Sequence, residues 1–182
     1  MFVRHGETEW NRNNRTMGRL DAPLTAKGIT DAIRGAKKIR GQHIFDHIVS
    51  SPLGRALETA TIFAKEFDVD DIQVIPELAE RDLGVLQGLT KKQSIQQFPH
   101  YYDTNEKFIH SSEIKDGETL GDFLDRVKVA TNKLVTLSQN KSVLVVTHDG
   151  VLNAIVGFVK GIEFGRVRDV YTFKHGVPIS LN

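Results

Sequence analysis

The sequence predicts an α/β protein: a three-layer αβα sandwich with a mostly parallel central sheet. Two observations carry that expectation. Segments of strand character alternate with segments of helical spacing along the chain, the pattern that builds βαβ units. Ser142-Val143-Leu144-Val145-Val146-Thr147 is a nearly unbroken apolar run, as expected of a strand covered on both faces in a parallel sheet. With 182 residues, no repeats and no linker-like stretch, the chain reads as one domain over 1–182.

Phe2-Val3-Arg4-His5 is the first strand, shorter than the usual ~5–6 residues; either it is short or the native chain starts upstream of Met1. Gly6 follows, where the backbone can turn and approach a ligand. Residues 10–24 hold Asn11, Asn13, Asn14, Gly18 and Pro23 and read as a loop. Thr25 caps a helix with Ile29, Ile33, Ala36 and Ile39 facing inward and Arg34, Lys37, Lys38 and Arg40 facing water. His47 to Ser51 is the second strand. Ser51-Pro52 then reads as cap and first-turn proline of a helix running to Phe67. Arg55 falls in that first turn and off the buried stripe. Free backbone N–H groups there already favour an anion, so an arginine at this end of a helix points to an anionic partner.

Ile72 to Ile75 is the third strand, ended by Pro76, and Glu77 to Gly88 is an acidic, glycine-punctuated loop of functional character. Thr90 to Phe98 is a short helix. No period is visible from His100 to Gly117, but Tyr101, Tyr102, Phe108 and Ile109 argue that this stretch packs, and it is placed to lid a site. Thr119 to Leu137 is amphipathic, with Leu120, Phe123, Leu124, Val127, Ala130, Leu134 and Leu137 on one face. After the apolar strand, His148-Asp149-Gly150 leads into a helix from Val151 to Lys160. Asp169 to Lys174 and Val177 to Leu181 read as two last short strands.

Composition narrows the function classes. A formal net charge of +1 leaves no polybasic footprint for nucleic acid or an anionic membrane. The absence of cysteine removes disulfides, thiolate nucleophiles and cysteine-based zinc sites. No apolar run approaches the ~18–20 residues of a spanning helix and no signal-peptide pattern opens the chain, so a cytoplasmic protein is expected.

The first strand and the apolar strand each run into a histidine followed directly, or one residue later, by glycine: His5-Gly6 and His148-Asp149-Gly150. In open α/β sheets, ligands sit beyond the carboxyl ends of the strands. That edge would gather His5, His148, Arg4, Arg55 and the Glu80-Arg81 pair of the 77–88 loop, a phosphate site with acid–base equipment. The other histidines (His43, His47, His100, His110, His175) show no metal-ligand spacing and read as structural or surface residues, with His100 and His110 set apart by their place in the 100–117 stretch.

The chain resembles the histidine phosphatase superfamily, in its phosphoglycerate mutase-like branch. The matching segments are Arg4-His5-Gly6-Glu7-Thr8 with Trp10-Asn11, Asp21 to Gly28, Ser50 to Leu53 with Arg55-Ala56 and Thr59-Ala60, Glu80 with Gly84 and Gly88, and Val146 to Gly150. The resemblance implies a phosphoglycerate mutase-like fold and phosphoryl transfer through a phosphohistidine on His5. Arg4, Arg55 and His148 would bind the phosphoryl oxygens and Glu80 would serve as acid, then base. Gly6, Asn11, Gly18, Arg81 and Asp149 would complete the binding set. Arg81 has pairing with Asp82 as its alternative, and Asp149 has capping of the next helix or tuning of His148. No metal or other cofactor is implied, because arginines carry the positive charge. The expected partner is a small phosphorylated substrate, and the expected assembly a monomer or homodimer.

Three departures bear on the reaction. Leu83 stands where mutases resembling this chain carry tyrosine, and much of their insertion after the Glu80 region is missing; both favour a phosphatase over a cofactor-dependent phosphoglycerate mutase. Asn153 stands where many relatives have arginine. Met17 stands where they have a polar residue, the only feature favouring a non-catalytic phospho-ligand module.

Overall fold

The structure is a computed structural model and describes residues 1–181. Its elements are β1 (Phe2–Arg4), α1 (Glu9–Arg12), α2 (Ala26–Ile39), β2 (His47–Ser50), α3 (Gly54–Phe67), β3 (Ile72–Val74), α4 (Lys91–Gln97), α5 (Leu120–Leu137), β4 (Val143–Thr147), α6 (Asp149–Lys160) and β5 (Pro178–Ile179), with 3₁₀ turns between them. The five strands lie in the order β3-β2-β4-β1-β5. Neighbours pair in parallel except β5, which runs antiparallel to β1. This is the expected mostly parallel sheet between helical layers.

Side-chain alternation along the strands explains the two cores. Val3, Ile48, Leu144 and Val146 face one way and pack on Ala32, Ala36, Ala56, Ala60 and Phe63 of α2 and α3. Val49, Val143 and Val145 face the other way, onto Phe123, Val127, Ala130, Val151 and Ile155 of α5 and α6. Every residue of β4 is buried, which is why that strand reads as a continuous apolar run. No helix among the described residues is long and apolar enough to cross a membrane.

Four local expectations are corrected. Ile33 of α2 is 38% exposed; the inward face is Gly28, Ala32, Gly35, Ala36 and Ile39. The helix lies too close to neighbouring backbone for isoleucine there: a Cβ on Gly28 would overlap the Glu7 carbonyl oxygen, and one on Gly35 the Gly176 carbonyl. The second correction concerns α3, which starts at Gly54 and has no cap from Ser51. Asp21 caps it from across the fold, accepting from the backbone N–H groups of Gly54 and Arg55. Third, the 10–24 loop opens with a helical turn, Glu9–Arg12, held by a Thr8–Asn11 capping box. Last, residues 169–174 form no strand. A 3₁₀ segment Phe164–Asp169 occupies their start, and the Tyr171 N–H folds back on the Val167 carbonyl, while Phe173 packs beside Leu152 and Val156.

The 100–117 stretch packs as its aromatic residues suggest. Tyr101 and Ile114 form a small core with Leu86, and the Tyr101 hydroxyl accepts from the Lys115 N–H at 3.0 Å.

Candidate active site

Strand order builds the site. β2, β4 and β1 are consecutive, so the residues just past their carboxyl ends, Ser51, His148 and His5, lie side by side. The His5 and His148 ring centroids are 5.2 Å apart. His5 is 3% exposed and His148 fully buried.

The sequence around His5 fixes its tautomer. Its Nδ1 lies 2.7 Å from the Gly6 carbonyl oxygen. A carbonyl only accepts, so the proton sits on Nδ1 and the Nε2 lone pair is free. Burial, then the Arg55 and Arg4 charges, hold His5 well below its ordinary pKa of 6.5, which keeps the ring neutral with its Nε2 lone pair unprotonated. Gly6 has no side chain because α2 passes over it: a Cβ would sit 2.9 Å from the Gly28 carbonyl. Its own N–H is taken by Thr59 Oγ1 at 2.9 Å, so Gly6 shapes the turn and its amide is not free for a ligand.

His148 has a matching device. Ser51 Oγ lies 2.6 Å from His148 Nε2 and accepts from the Leu53 N–H. With the hydroxyl donating to Nε2, the His148 proton sits on Nδ1, which is buried without a partner. Burial, with the Arg55 charge second, holds this ring well below its ordinary pKa too.

Two guanidiniums face the imidazoles. Arg55, 2% exposed, donates from Nη1 to the Leu20 carbonyl (2.8 Å) and Asp21 Oδ1 (3.0 Å) and from Nη2 to the Gly18 carbonyl (2.7 Å). Gly18 thus serves through its carbonyl, in a left-handed conformation (φ 56°) suited to glycine. Arg4 donates to the Phe173 carbonyl at 3.1 Å and pairs with Asp149 at 3.4 Å. Asp149 also pairs with Arg168. It is the first residue of α6, whose N-cap is His148, so it steers Arg4 and does not cap.

Glu80 closes the ring of charge. Its carboxylate accepts from the Arg81 N–H (2.9 Å) and the Gly150 N–H (3.0 Å). Arg126 of α5 clamps the preceding backbone through the Glu77, Ala79 and Glu80 carbonyls. Arg81 itself takes neither expected role. Its donors go to the Glu118, His110 and Ser112 carbonyls, so it pins the 100–117 stretch beside the site. Asn11 Oδ1 accepts from the Thr8 backbone N–H at 3.1 Å. Met17 is buried and its Sδ accepts from the Thr8 hydroxyl.

Among the described residues, four buried nitrogens here have no partner: Arg4 Nε, Arg55 Nε, His148 Nδ1 and His175 Nε2. Unmatched buried polar atoms are costly, and a bound anion would satisfy those that carry a proton. The sequence reads His175 as a structural or surface residue. It lies 5.5 Å from the His5 ring, because residue 175 bridges to Arg4. The signal was present: His175-Gly176 repeats the histidine–glycine pairing a third time. Arg126 carries no sequence signal, and Ser51 and Asp21 stand out only as members of the matching segments, since each acts on a residue remote in sequence.

The buried rings predict acid sensitivity. Below pH 6.5 the unfolded chain's histidines take up protons that the folded rings of His5 and His148 refuse. Unfolding then binds protons, and stability falls as the pH drops. Each of these two rings contributes up to about 1.4 kcal/mol per pH unit. His110 and His175, both held at about 4 mainly by burial, act in the same direction. Melting temperatures in anion-free buffer should be nearly level above pH 7 and decline steadily from about pH 6.5 to 5; a flat profile over that window would contradict the assigned burial.

Comparison with known proteins follows the same outline. The sequence profile of the histidine phosphatase superfamily (branch 1) matches residues 1–178. A metal-independent phosphoserine phosphatase from Arabidopsis thaliana is 33% identical over 156 residues, covering 85% of this chain and 66% of the relative. Phosphoglycerate mutase-like protein 4 from the same plant is 32% identical over 156 residues, covering 85% and 68%. The solved structure of Bacillus stearothermophilus YhfR superposes with a TM-score of 0.84 at 31% identity, covering 96% of this chain and 85% of that one.

Proposed function

The chain belongs to the histidine phosphatase superfamily (branch 1), and from that premise we propose that it hydrolyses small phosphomonoesters through a phosphohistidine on His5, without a metal ion. The observation that carries this reading is the His5 ring: proton fixed on Nδ1 by the Gly6 carbonyl, neutral, with Nε2 open among unpartnered cationic and imidazole nitrogens.

In the first half-reaction the Nε2 lone pair attacks phosphorus and the bond to the ester oxygen breaks. Arg4, Arg55 and His148 hold the non-bridging oxygens, with donors already in place as the group flattens. Glu80, aimed by the Arg81 and Gly150 N–H groups, gives its proton to the departing oxygen. In the second half-reaction Glu80 takes a proton from water, whose oxygen attacks phosphorus. The N–P bond breaks and inorganic phosphate leaves. The relatives' names include a phosphatase and a mutase-like protein. Hydrolysis is favoured here because Leu83, where mutases resembling this chain carry tyrosine, packs against the Leu86, Tyr101 and Ile114 cluster.

The test is p-nitrophenyl phosphate hydrolysis in excess EDTA, followed by a panel of phosphorylated metabolites. Undiminished turnover in EDTA and an alkali-stable, acid-labile phosphoenzyme are expected. Loss of activity on chelation would overturn the metal-free step, and exchange between 2- and 3-phosphoglycerate outpacing hydrolysis would make the protein a mutase.

A further inference from the structure

We propose that His175 is a further catalytic residue, a neutral imidazole whose Nε2–H donates to a non-bridging oxygen of the phosphoryl group held at His5. The inference rests on the phosphatase reading above and extends its binding set.

Its geometry matches that of His148. The His5 ring has two imidazole neighbours at similar distances and tilts, His148 at 5.2 Å and 55° and His175 at 5.5 Å and 52°. Both neighbouring rings carry one buried nitrogen without a partner among the described residues, Nδ1 of His148 and Nε2 of His175. A buried donor left unmatched costs about 1–3 kcal/mol, and a phosphoryl oxygen bound at His5 is the acceptor that removes this cost for both.

The backbone holds His175 in place. Residue 175 forms a parallel bridge to Arg4, and the Gly176 N–H donates to the Arg4 carbonyl at 2.9 Å. Gly176 lies in the left-handed region (φ 68°), pressed on the backbone of Ala32 in α2. The imidazole is thereby tied to the residue that precedes the nucleophile.

Charge explains why an imidazole suits this position. Burial, with Arg4 as the second cause, holds His175 at about 4, against smaller opposite pulls from Glu7 and Asp149. The ring is neutral at pH 7 and keeps one N–H. It adds a donor beside Arg4 and Arg55 without adding a third positive charge.

The test uses the full chain with two substitutions. His175→Phe keeps a ring but removes both nitrogens; His175→Gln returns an N–H. The readouts are the orthovanadate inhibition constant, kcat and KM for p-nitrophenyl phosphate, and the melting temperature. A lost hydrogen bond to a charged acceptor predicts inhibition and kcat/KM weakened roughly 10- to 100-fold in His175→Phe, with most of the loss recovered in His175→Gln. An orthovanadate constant within about twofold of the wild type in His175→Phe, whatever its melting temperature, would overturn the assignment. Should His175→Phe fail to fold, imidazole ¹⁵N spectra of the wild-type protein decide. Orthovanadate should shift the His175 Nε2 resonance into the hydrogen-bonded range, and an unmoved resonance overturns the proposal. A wild-type enzyme that hydrolyses substrate equally well as His5→Ala would instead sink the phosphohistidine reading itself.

Discussion

Replacing His5 with alanine is expected to reduce hydrolysis of p-nitrophenyl phosphate by roughly 10⁴- to 10⁶-fold, the scale on which deleting a nucleophile acts. The phosphoenzyme should disappear with it. Anion binding should survive, because Arg4, Arg55 and His148 are held by contacts that do not involve the His5 side chain: the Phe173 and Gly18 carbonyls, Asp21 and Ser51. Orthovanadate or phosphate should therefore still raise the melting temperature of His5→Ala, by the mass-action stabilisation any native-state ligand gives. The pairing of lost turnover with retained anion stabilisation separates a missing nucleophile from a damaged pocket. Residual activity of more than about one percent would place the reacting atom elsewhere. A pocket that binds anions while the wild type forms no phosphoenzyme would make this a binding module, the reading that Met17 alone favours.

What the sequence revealed and what it hid have one physical origin. β4 is legible because both its faces are covered, so Val143 to Val146 are all apolar. The meeting of His5 and His148 is legible because both leave parallel strands at the same edge, and β1 and β4 are direct neighbours. Local signals misled where a distant partner outranked them. Ser51-Pro52 has the form of a helix cap, but the Ser51 hydroxyl is committed to His148, 97 positions away, and Asp21 supplies the cap. Ile33 fits a helical stripe that α2 cannot use, because Gly28 and Gly35 bring the helix against the backbone of Glu7 and Gly176. Arg81 resembles a substrate arginine by its place next to Glu80, yet its donors are taken by three carbonyls of the 110–118 segment. His175 is hidden because it falls between the two segments expected as strands, 169–174 and 177–181, and after the last parallel strand, whereas ligands are looked for beyond the carboxyl ends of parallel strands.

Arg55 is expected to show the second-largest effect, through three separable consequences. Its two terminal nitrogens bind the 18–21 loop through the Gly18 and Leu20 carbonyls and Asp21, and Nε stays buried and unmatched for the anion. Arg55→Ala removes a transition-state donor, about 3–4 kcal/mol or roughly 10²–10³ in kcat. It also strands the Gly18 and Leu20 carbonyls, at an order-of-magnitude cost of about 2 kcal/mol in stability, visible as a lower denaturation midpoint. The third consequence is electrostatic. The Arg55 cation is the largest charge effect lowering both His5 and His148, so its removal lets both pKa values rise and moves the acid limb of kcat/KM to higher pH. Arg55→Lys divides these consequences. A lysine keeps the positive charge, and with it the acid limb, but a single ammonium cannot hold the loop and present a donor to the phosphoryl group at once. The lysine variant should therefore match the wild type in pH profile while losing rate and stability nearly as the alanine variant does. An acid limb that stays fixed in Arg55→Ala would mean that the nucleophile owes its neutrality to burial and the Arg4 charge without Arg55.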